Sequence, residues 1–513
     1  MACTARIIFG VQLYRSLSHE LGSKSLLNWA RAQTKPVWLT EPLLDLDLVV
    51  ATCKLAARLV AAAGRRCWVC LQAPPAGQVF MAAADDSVLR EALLTGVCMG
   101  LPGVAVAIAT EAGLLWEGSE GVADIKTSAP MRARDRFCVG SITKTFVAVV
   151  VLQLAEEGKL DLETKLIRYL DGDVATRVRR VPNASVATLH QILSHQSGIP
   201  TWEFAADWIR KGRGVELELG KVWEKDETLQ FAERLPPTGE PGHSYSYSNT
   251  NYTLLGLVIE AVTGNDVAVE IRRRVLEPLE LKDTYLDSFE ASPRPGPDGR
   301  ALSRHYHSAT PHYIAAAGGL HPSFANVGGH RALIDTSAAN LSPEWAAGGL
   351  VASMGDLALY TAALRSGDSL LSAATRERMF EYRPPASSEE GDDGSGHPSK
   401  WLPEDAGVRR GQTEYCMGIM RTRENGAASD GGDILCYGHW GGTLGFSARM
   451  WWEQPREATA VAKLGPVVCC ATNIGSMHSG FEVAPFSLWN TRVLAPAVRA
   501  YLASQTTSSH TKL

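Results

Sequence analysis

Apolar positions along the chain follow two spacings, which predict both helices and strands. Apolar residues three and four positions apart predict amphipathic helices at 87–98, 251–263 and 355–364. Short apolar runs bounded by turn residues predict a β-hairpin from strands at 104–108 and 114–116. Further strands are predicted at 447–452, 458–464 and 467–472, and the turns between them indicate an antiparallel meander. A last helix is predicted at 486–502, broken or kinked near Pro496.

One apolar run, at 146–154, is nearly continuous and predicts a buried helix that opens at or just before Ser141. Ser141 and Lys144 are three positions apart, so they share a helix face and the lysine amine can reach the serine hydroxyl. Burial lowers the pKa of a lysine, which can then take the proton of the serine and make it a nucleophile. The free N–H groups of a first helical turn can stabilise an oxyanion. The alternative is a helix cap followed by a surface lysine.

Composition restricts the class of protein without naming its chemistry. The 513 residues are 45% hydrophobic and 20% charged, with a net charge of -5, which is ordinary for a globular protein and favours neither nucleic acid nor an anionic membrane as a partner. No run of about 20 apolar residues is present, so we expect no membrane span. Ten cysteines lack disulfide-framework spacing and no export signal is recognised, so free thiols and a cytoplasmic location are expected.

Composition along the chain predicts a domain at 81–503 between two appendages. Residues 1–80 are interpreted as an N-terminal extension of unknown role, with Met81 as an alternative start, and 504–513 as a tail. Cys67 and Cys70 form a C-x-x-C for which free structural thiols are preferred over a redox or zinc site. Acidic and glycine residues predict a flexible, solvated insertion at 384–412.

Two more polar positions are candidates for chemistry. Tyr247 and Asn249 come just before a predicted helix, where a phenol acidified by a nearby ammonium would suit proton relay; the alternative is a polar turn. His439 stands in a glycine-rich stretch that indicates close approach of backbone and ligand, where it could bond a substrate carbonyl or the tyrosine; a structural histidine is the alternative.

Other aromatic and histidine residues are interpreted more plainly. Trp202, Phe204 and Trp208 predict either a pocket mouth or aromatic packing beneath a loop. Five histidines have spacing that fits no compact metal site, so surface positions are preferred and no metal or cofactor is expected. These histidines are His305, His307, His312, His321 and His330.

Taken in order, the motifs make the chain resemble the serine β-lactamase-related superfamily over roughly residues 85 to 490. This superfamily includes class C β-lactamases, penicillin-binding proteins, D-aminopeptidases, family VIII esterases and lovastatin-type acyltransferases. Ser141 to Lys144 matches its Ser-x-x-Lys motif, and Tyr247 to Asn249 matches its Tyr-x-Asn motif. His439-Trp440-Gly441 occupies the place of Lys-Thr-Gly, where esterase-like members often carry His-x-Gly. Trp440-Gly441-Gly442 also matches the Trp-Gly-Gly variant of some esterases, so either register is open.

The resemblance implies a fold and a mechanism. We expect an α/β fold of the β-lactamase/transpeptidase type: a central antiparallel sheet flanked by helices, with an inserted helical lobe and Ser141 in the cleft between lobes. Ser141 would attack an acyl carbonyl, while Lys144 and Tyr247 move its proton to the leaving group. An oxyanion hole would form from the N–H of Ser141 and one near Gly442 on the sheet edge. Asn249 would orient Lys144 or the acyl chain.

The departure at the third motif shifts the expected substrate. Lysine in Lys-Thr-Gly supplies a fixed positive charge for the carboxylate of a penicillin or peptide, whereas His439 is weakly charged near neutral pH and Trp440 removes the threonine hydroxyl. The expected activity is therefore a serine hydrolase or acyltransferase acting on a small ester, thioester or lactone, with a role in secondary metabolism by analogy only. A β-lactamase or D-peptidase is the enzymatic alternative, and an inactive scaffold the non-enzymatic one. The sequence does not determine the oligomeric state.

Overall fold

The structure is a computed structural model. It describes residues 85–292, 302–327, 333–387, 413–424, 434–455, 465–479 and 485–510. The predictions for residues 1–80, the Cys67 and Cys70 pair, the Met81 start and the strand at 458–464 lie outside these residues, as does most of 384–412. The chain divides into two compact units, Met1–Leu101 with Pro485–Leu513, and Pro102–Ala484.

Strands and helices are numbered here in chain order over the described residues. The strands are β1 Gly103–Thr110, β2 Gly113–Asp124, β3 Ala129–Pro130, β4 Arg136–Cys138, β5 Tyr285–Leu286, β6 Tyr306–Ser308, β7 Ala325–Asn326, β8 Leu333–Asp335, β9 Leu350–Ser353, β10 Thr413–Tyr415, β11 Met420–Glu424, β12 Ile434–Thr443, β13 Phe446–Pro455, β14 Val467–Thr472 and β15 Ile474–Gly475. The α-helices are α1 Ser87–Cys98, α2 Thr143–Glu156, α3 Gly172–Val178, α4 Leu189–Leu193, α5 Ala206–Arg213, α6 Leu229–Ala232, α7 Asn249–Thr263, α8 Val267–Ile271, α9 Pro311–Ala316, α10 Trp345–Gly348, α11 Met354–Ser366, α12 Ala373–Phe380, α13 Pro485–Trp489 and α14 Ala495–His510.

The larger unit is built on an antiparallel sheet. Within the described residues its strand order is β10-β11-β12-β13-β14-β1-β2-β3, so strands from both ends of the unit share one sheet. The junction is the pairing of β14 with β1, in which Val104 lies opposite Thr472 and Ala109 opposite Val467. β1 and β14 are buried along nearly their whole length, and α11 packs against both. The predicted central antiparallel sheet from N-terminal and C-terminal strands is therefore confirmed.

The chain between β4 and β9 supplies the inserted, mostly helical region. Helix α7 lies at its centre and contacts α2, α4 and α10. It ends at Gly264, whose left-handed backbone (φ 71°) lets the chain leave the helix, as predicted from its sequence. The helix predicted at 251–263 is confirmed, but α7 is buried at every position from Asn249 to Ile259, so it is a core helix without the polar face of an amphipathic one.

The smaller unit brings α1 together with the C-terminal helices. The indole N–H of Trp489 donates to the carbonyl of Ala92, and a Cβ on Gly96 would meet that indole at 2.7 Å. A π-helical turn, Asn490–Leu494, separates α13 from α14. This turn ends just before Pro496, which lacks the N–H that a regular helix uses. Ala495 keeps α-helical backbone (φ -59°, ψ -45°), so the helix is irregular near Pro496 but is not broken there.

Several predicted elements match closely and one motif does not. The helix at 87–98, the 104–116 hairpin and the strand at 467–472 are confirmed. The glycine-rich stretch at 438–443, however, lies inside strand β12, which pairs with β13 from Ile434 to Thr443. Glycines usually weaken a strand pattern, but these allow close packing, which a sequence cannot display.

The burial of several side chains corrects the surface prediction for two histidines and decides between the two interpretations of the tryptophans. His305 and His307 are buried, not exposed, and burial lowers the pKa of His305 to about 4 and that of His307 to about 3. His312 is exposed and His321 half-buried, while His330 lies outside the described residues. Trp202 and Trp208 are fully buried with ring centroids 4.7 Å apart, so these two residues pack in the core.

Two features that would indicate a metal site or a membrane span are absent from the described residues. No group of three or more His, Cys, Asp or Glu in that part of the chain is placed to hold a metal ion. No helix there combines the length and apolar character needed to cross a membrane.

Candidate active site

Ser141 lies on a tight turn between strand β4 and helix α2. The turn is a 3₁₀ helix, Gly140–Ile142, that leads directly into α2. Gly140 has a positive φ of 54°, and a Cβ there would come within 2.6 Å of the Gly442 nitrogen. Only glycine fits both constraints, so the turn can pack tightly against β12 and hold Ser141 half-buried at this junction.

Lys144 is fully buried one turn after Ser141 and is held by three hydrogen bonds. Its Nζ donates to the Ser141 hydroxyl oxygen at 3.0 Å, to Asn249 Oδ1 at 2.6 Å and to the carbonyl of Ala347 at 2.7 Å. Burial lowers the pKa of Lys144 to about 7, against the opposing attraction of the Glu203 and Glu344 carboxylates. The amine can therefore be neutral near physiological pH while touching the serine. The surface-lysine alternative is wrong.

A buried charge cluster continues from Lys144 through Asn249. The Asn249 side-chain amide donates to Glu203 Oε2 while its oxygen accepts from Lys144. Glu203 Oε1 lies 3.6 Å from the Arg213 guanidinium, which also pairs with Glu344. Burial raises the pKa of both carboxyl groups, and Arg213 opposes this. All of these side chains are buried.

Tyr247 reaches the same point from just before α7. Its ring centroid lies 4.9 Å from Lys144 Nζ, and its hydroxyl is a hydrogen-bond partner of Ser141. Burial raises the pKa of Tyr247 well above its usual value, and the Ser141 bond only partly offsets this. The prediction that a nearby ammonium acidifies this phenol is therefore wrong, because desolvation of the phenolate outweighs it. The phenol stays protonated and can act as an acid.

Strand β12 closes the other side of Ser141 through backbone contact. A Cβ on Gly441 would come within 1.8 Å of the Val139 carbonyl oxygen and 3.3 Å of the Ser141 nitrogen. The neighbouring Gly442 nitrogen lies beside Gly140, as noted above. The structure thus places the Gly442 and Ser141 backbone nitrogens at one junction, and the oxyanion hole expected from their two N–H groups stays a prediction.

His439 is buried on β12, and its hydrogen bonds fix its tautomer. Nδ1 lies 2.6 Å from the carbonyl of Trp440, which only accepts, so Nδ1 carries the proton. Nε2 therefore accepts from the Tyr415 hydroxyl at 2.9 Å. Burial, and secondarily the charge of Lys144, lowers the pKa of His439 to about 3, so the imidazole is neutral. Its direct partner is Tyr415, since the Tyr247 ring centroid is 6.4 Å away.

Trp440 alternates with His439 along the strand and therefore points to the opposite face. Its ring stacks on the guanidinium of Arg449, 4.3 Å from the ring centroid, and Arg449 is its cross-strand partner on β13. The indole thus packs against the sheet, and its predicted role toward substrate stays a prediction.

Sequence reasoning missed four residues around this site, namely Glu203, Arg213, Glu344 and Tyr415. Glu203 stands between two aromatic residues and Glu344 precedes a Trp-Ala-Ala run, so an acid in an apolar context was a usable sign of burial. Their pairing with Arg213 spans up to 131 residues of chain, which no local pattern reveals.

The fold and this junction define a class of protein, one with a β-lactamase/transpeptidase-like fold in which a serine and a buried lysine meet beside strand β12. A family model described as Beta-lactamase matches residues 94–464, well over half of the chain. The chain belongs to the Beta-lactamase family.

Similar proteins include esterases and amidases. Esterase EstB of Burkholderia gladioli is 31% identical over 215 residues, which cover 40% of this chain and 51% of the esterase. The chain thus spans about half the length of that relative. A D-stereospecific amidohydrolase from Streptomyces sp. superposes with a TM-score of 0.57 at 26% identity, over 76% of this chain and 95% of that one.

A second solved structure supports the fold alone. D-amino acid amidase from Ochrobactrum anthropi SV3, complexed with L-phenylalanine, gives a TM-score of 0.62 at 22% identity. It covers 82% of this chain and 99% of the amidase. The expected β-lactamase/transpeptidase-like architecture is thereby confirmed.

Proposed function

We propose that this protein hydrolyses a small uncharged ester, thioester or lactone through an acyl-enzyme on Ser141. The observation that carries the proposal is the hydrogen bond between a fully buried lysine and the serine hydroxyl, Lys144 Nζ to Ser141 Oγ at 3.0 Å. A lysine with a pKa lowered to about 7 can accept a proton that an ordinary lysine cannot.

Acylation begins when the lone pair of Lys144 takes the hydroxyl proton of Ser141. The serine oxygen then bonds to the acyl carbon, and the carbonyl electron pair moves onto its oxygen, which the N–H groups of Ser141 and Gly442 stabilise. The tetrahedral species collapses and breaks the bond to the leaving group. Tyr247 donates its hydroxyl proton to that group and regains one from the Lys144 ammonium. Asn249 holds Lys144 in place.

Deacylation repeats these steps with water. Lys144 takes a proton from water, the hydroxide oxygen bonds to the acyl carbon, and the bond to Ser141 Oγ breaks as that oxygen is reprotonated. If a second alcohol or amine took the place of water, the product would be a transferred acyl group. The protein would then resemble the lovastatin-type acyltransferases more than the esterases.

The absence of a charge on His439, on the β12 side of Ser141, favours a substrate with an uncharged acyl group. His439, buried with a pKa near 3, offers no cation at the position where related enzymes carry the lysine of Lys-Thr-Gly. Similarity to an esterase supports the same substrate class. A secondary-metabolic role remains an analogy within this proposal.

Probe labelling and a substrate panel test the proposal together. A fluorophosphonate should label the wild-type protein and not Ser141→Ala, and nitrophenyl esters should be turned over faster than nitrocefin. A folded wild type that is not labelled would favour a scaffold role. Faster turnover of nitrocefin would reverse the substrate order.

The second candidate is hydrolysis of a D-amino acid amide or peptide. Similarity to the Streptomyces D-stereospecific amidohydrolase favours it, since 95% of that chain is covered. Adding D- and L-phenylalanine amide to the panel separates it from the ester hypothesis, because an esterase should leave both amides intact.

A further inference from the structure

The orientation of one amide decides whether Lys144 can act as a base. As an ammonium, Lys144 donates three hydrogen bonds, to Ser141 Oγ, Asn249 Oδ1 and the Ala347 carbonyl. As a neutral amine it has two N–H bonds and one lone pair. The Ala347 carbonyl and Asn249 Oδ1 can only accept, so they take both N–H bonds. The lone pair is then left facing Ser141, the partner that carries a transferable proton.

A flipped Asn249 would remove that arrangement. Its NH₂ group would then face Lys144 and donate to the lone pair, while the two lysine N–H bonds turned to Ser141 and Ala347. The amine would be hydrogen-bonded but unable to accept the serine proton. Since the two amide orientations have nearly the same shape, something beyond packing must select one of them.

Glu203 is the group that makes the selection. Its Oε2 accepts the hydrogen bond from Asn249 Nδ2. An ionised carboxylate has no donor, so a flipped amide would place two oxygen acceptors face to face in a buried site. Glu203 and Asn249 are both buried, at 4% and 3% exposure, so water cannot relieve that contact.

Arg213 favours the ionised form of Glu203, against burial and the like charge of Glu344, which raise the pKa of that carboxyl to about 7. Arg213, 2% exposed, lies 3.6 Å from Glu203 Oε1 and pairs with Glu344. Other titratable side chains of the described residues also lie near this charge cluster. They are Tyr247 and Tyr252 near Lys144 Nζ, His439 and His195 as buried neutral imidazoles, and His478, whose Nε2 is 3.9 Å from Glu203 Oε1.

We propose that Glu203 is a positioning residue that, through Asn249, directs the lone pair of Lys144 at the Ser141 hydroxyl. This inference rests on the proposed function and assigns Glu203 no contact with substrate. Nothing in local sequence marks the link, because Glu203 and Asn249 are 46 residues apart.

Two glutamine variants separate positioning from charge. Glu203→Gln removes charge and also lets the amide of residue 249 flip, since glutamine can donate as well as accept. Glu344→Gln removes the same charge from the same cluster but has no hydrogen bond to Asn249. Both carboxylates raise the pKa of Lys144, so both variants should move the acid limb of the kcat/KM profile to lower pH.

Only Glu203→Gln should also lower the high-pH plateau of kcat for a nitrophenyl ester. The expected loss is about tenfold or more, because general-base catalysis is worth about 10²–10⁴-fold. For Glu344→Gln the plateau should fall by less than about threefold, because no base is misdirected. Equal plateaus in the two variants would overturn the inference.

An exchange of the two side chains supplies a rescue. The double variant Asn249→Asp with Glu203→Gln keeps shape and net charge, and the carboxylate introduced at position 249 would offer Lys144 an acceptor in either orientation. The high-pH value of kcat should recover by at least about half of the loss seen in Glu203→Gln, measured on a logarithmic scale. The acid limb should move to higher pH, because a carboxylate now contacts the Lys144 ammonium and raises its pKa. A double variant no better than Glu203→Gln would contradict the inference.

Two controls keep the outcomes distinct. If circular dichroism shows that Glu203→Gln does not fold, the double variant is compared with wild type instead. A high-pH kcat within about tenfold of the wild-type value supports the inference, and a lower value overturns it. Fluorophosphonate labelling of wild type is read separately. Its absence would refute the proposed function, whereas labelled wild type with equal glutamine variants would refute only the role of Glu203.

Discussion

The two sides of Ser141 differ in charge. On the side of the inserted region lie a buried lysine, an arginine and two carboxylates, linked by Asn249. On the side of β12 lie glycine backbone and a neutral His439 held by Tyr415. The contrast separates two tasks, since proton transfer needs groups with shifted pKa values, and carbonyl binding needs fixed N–H donors without a competing charge.

The largest expected effect comes from removing the base on the charged side. Lys144→Met should lower kcat/KM for a nitrophenyl ester by about 10³-fold, because Ser141 loses its proton acceptor. Lys159→Met is the matched control, since that lysine is exposed and forms an ion pair with Glu157 at the surface. A Lys144→Met protein that is folded and retains more than a tenth of wild-type activity would break the assignment.

Acidification should have the next largest effect and should report only the charged side. Neutral Lys144 is the active form, and its pKa is lowered to about 7, so kcat/KM should fall about tenfold per unit below pH 7 and about 10²-fold by pH 5. His439, with a pKa near 3, should add no second step in that range. A limb centred near the usual lysine value would show that Lys144 is not desolvated.

Glycine substitution on β12 tests the backbone side. Gly441→Ala places a Cβ 1.8 Å from the Val139 carbonyl, so the free energy of unfolding should fall by about 1–3 kcal/mol. Fluorophosphonate labelling should also slow as the Ser141 turn is displaced. Gly442→Ala is the control for stability, since its nearest neighbour is the Met477 methyl at 3.9 Å. Equal urea denaturation of the two variants would refute the close contact.

The smallest expected effect comes from restoring a positive charge on the neutral side of Ser141. His439→Lys should raise the ratio of nitrocefin to ester turnover by about three- to tenfold, because a cation returns to the neutral side. His439→Gln, which stays neutral, should leave the ratio near its wild-type value. An unchanged ratio in the lysine variant, measured with matched melting temperatures, would separate substrate class from the charge at this position.

Much of the sheet and of the nucleophile turn was predictable from local pattern. The strand at 467–472 and the helix at 87–98 were recognised because their apolar runs end at turn or cap residues. Ser141 and Lys144 were paired because helical spacing alone brings them together. Tyr247 and Asn249 depended on family resemblance, since nothing local brings them to Lys144.

The charge cluster and the strand position of the glycines were not predictable in this way. Glu203 and Arg213 come together through tertiary contacts that also involve Asn249 and Glu344. Charged residues are usually exposed, so their sequence gives little reason to expect that these are buried. The family resemblance placed Gly442 at the sheet edge, but local pattern did not predict a strand through these glycines. Their close packing is against the Val139 and Gly140 backbone, which lies about 300 residues earlier in the chain.

Mass spectrometry of the quenched enzyme tests the central claim most directly. Wild type mixed with a nitrophenyl ester and quenched in acid within milliseconds to seconds should carry one acyl group, and peptide mapping should place it on Ser141. The Ser141→Ala protein should carry none. Hydrolysis by wild type without an adduct on Ser141, or with the acyl group on another residue, would contradict the account.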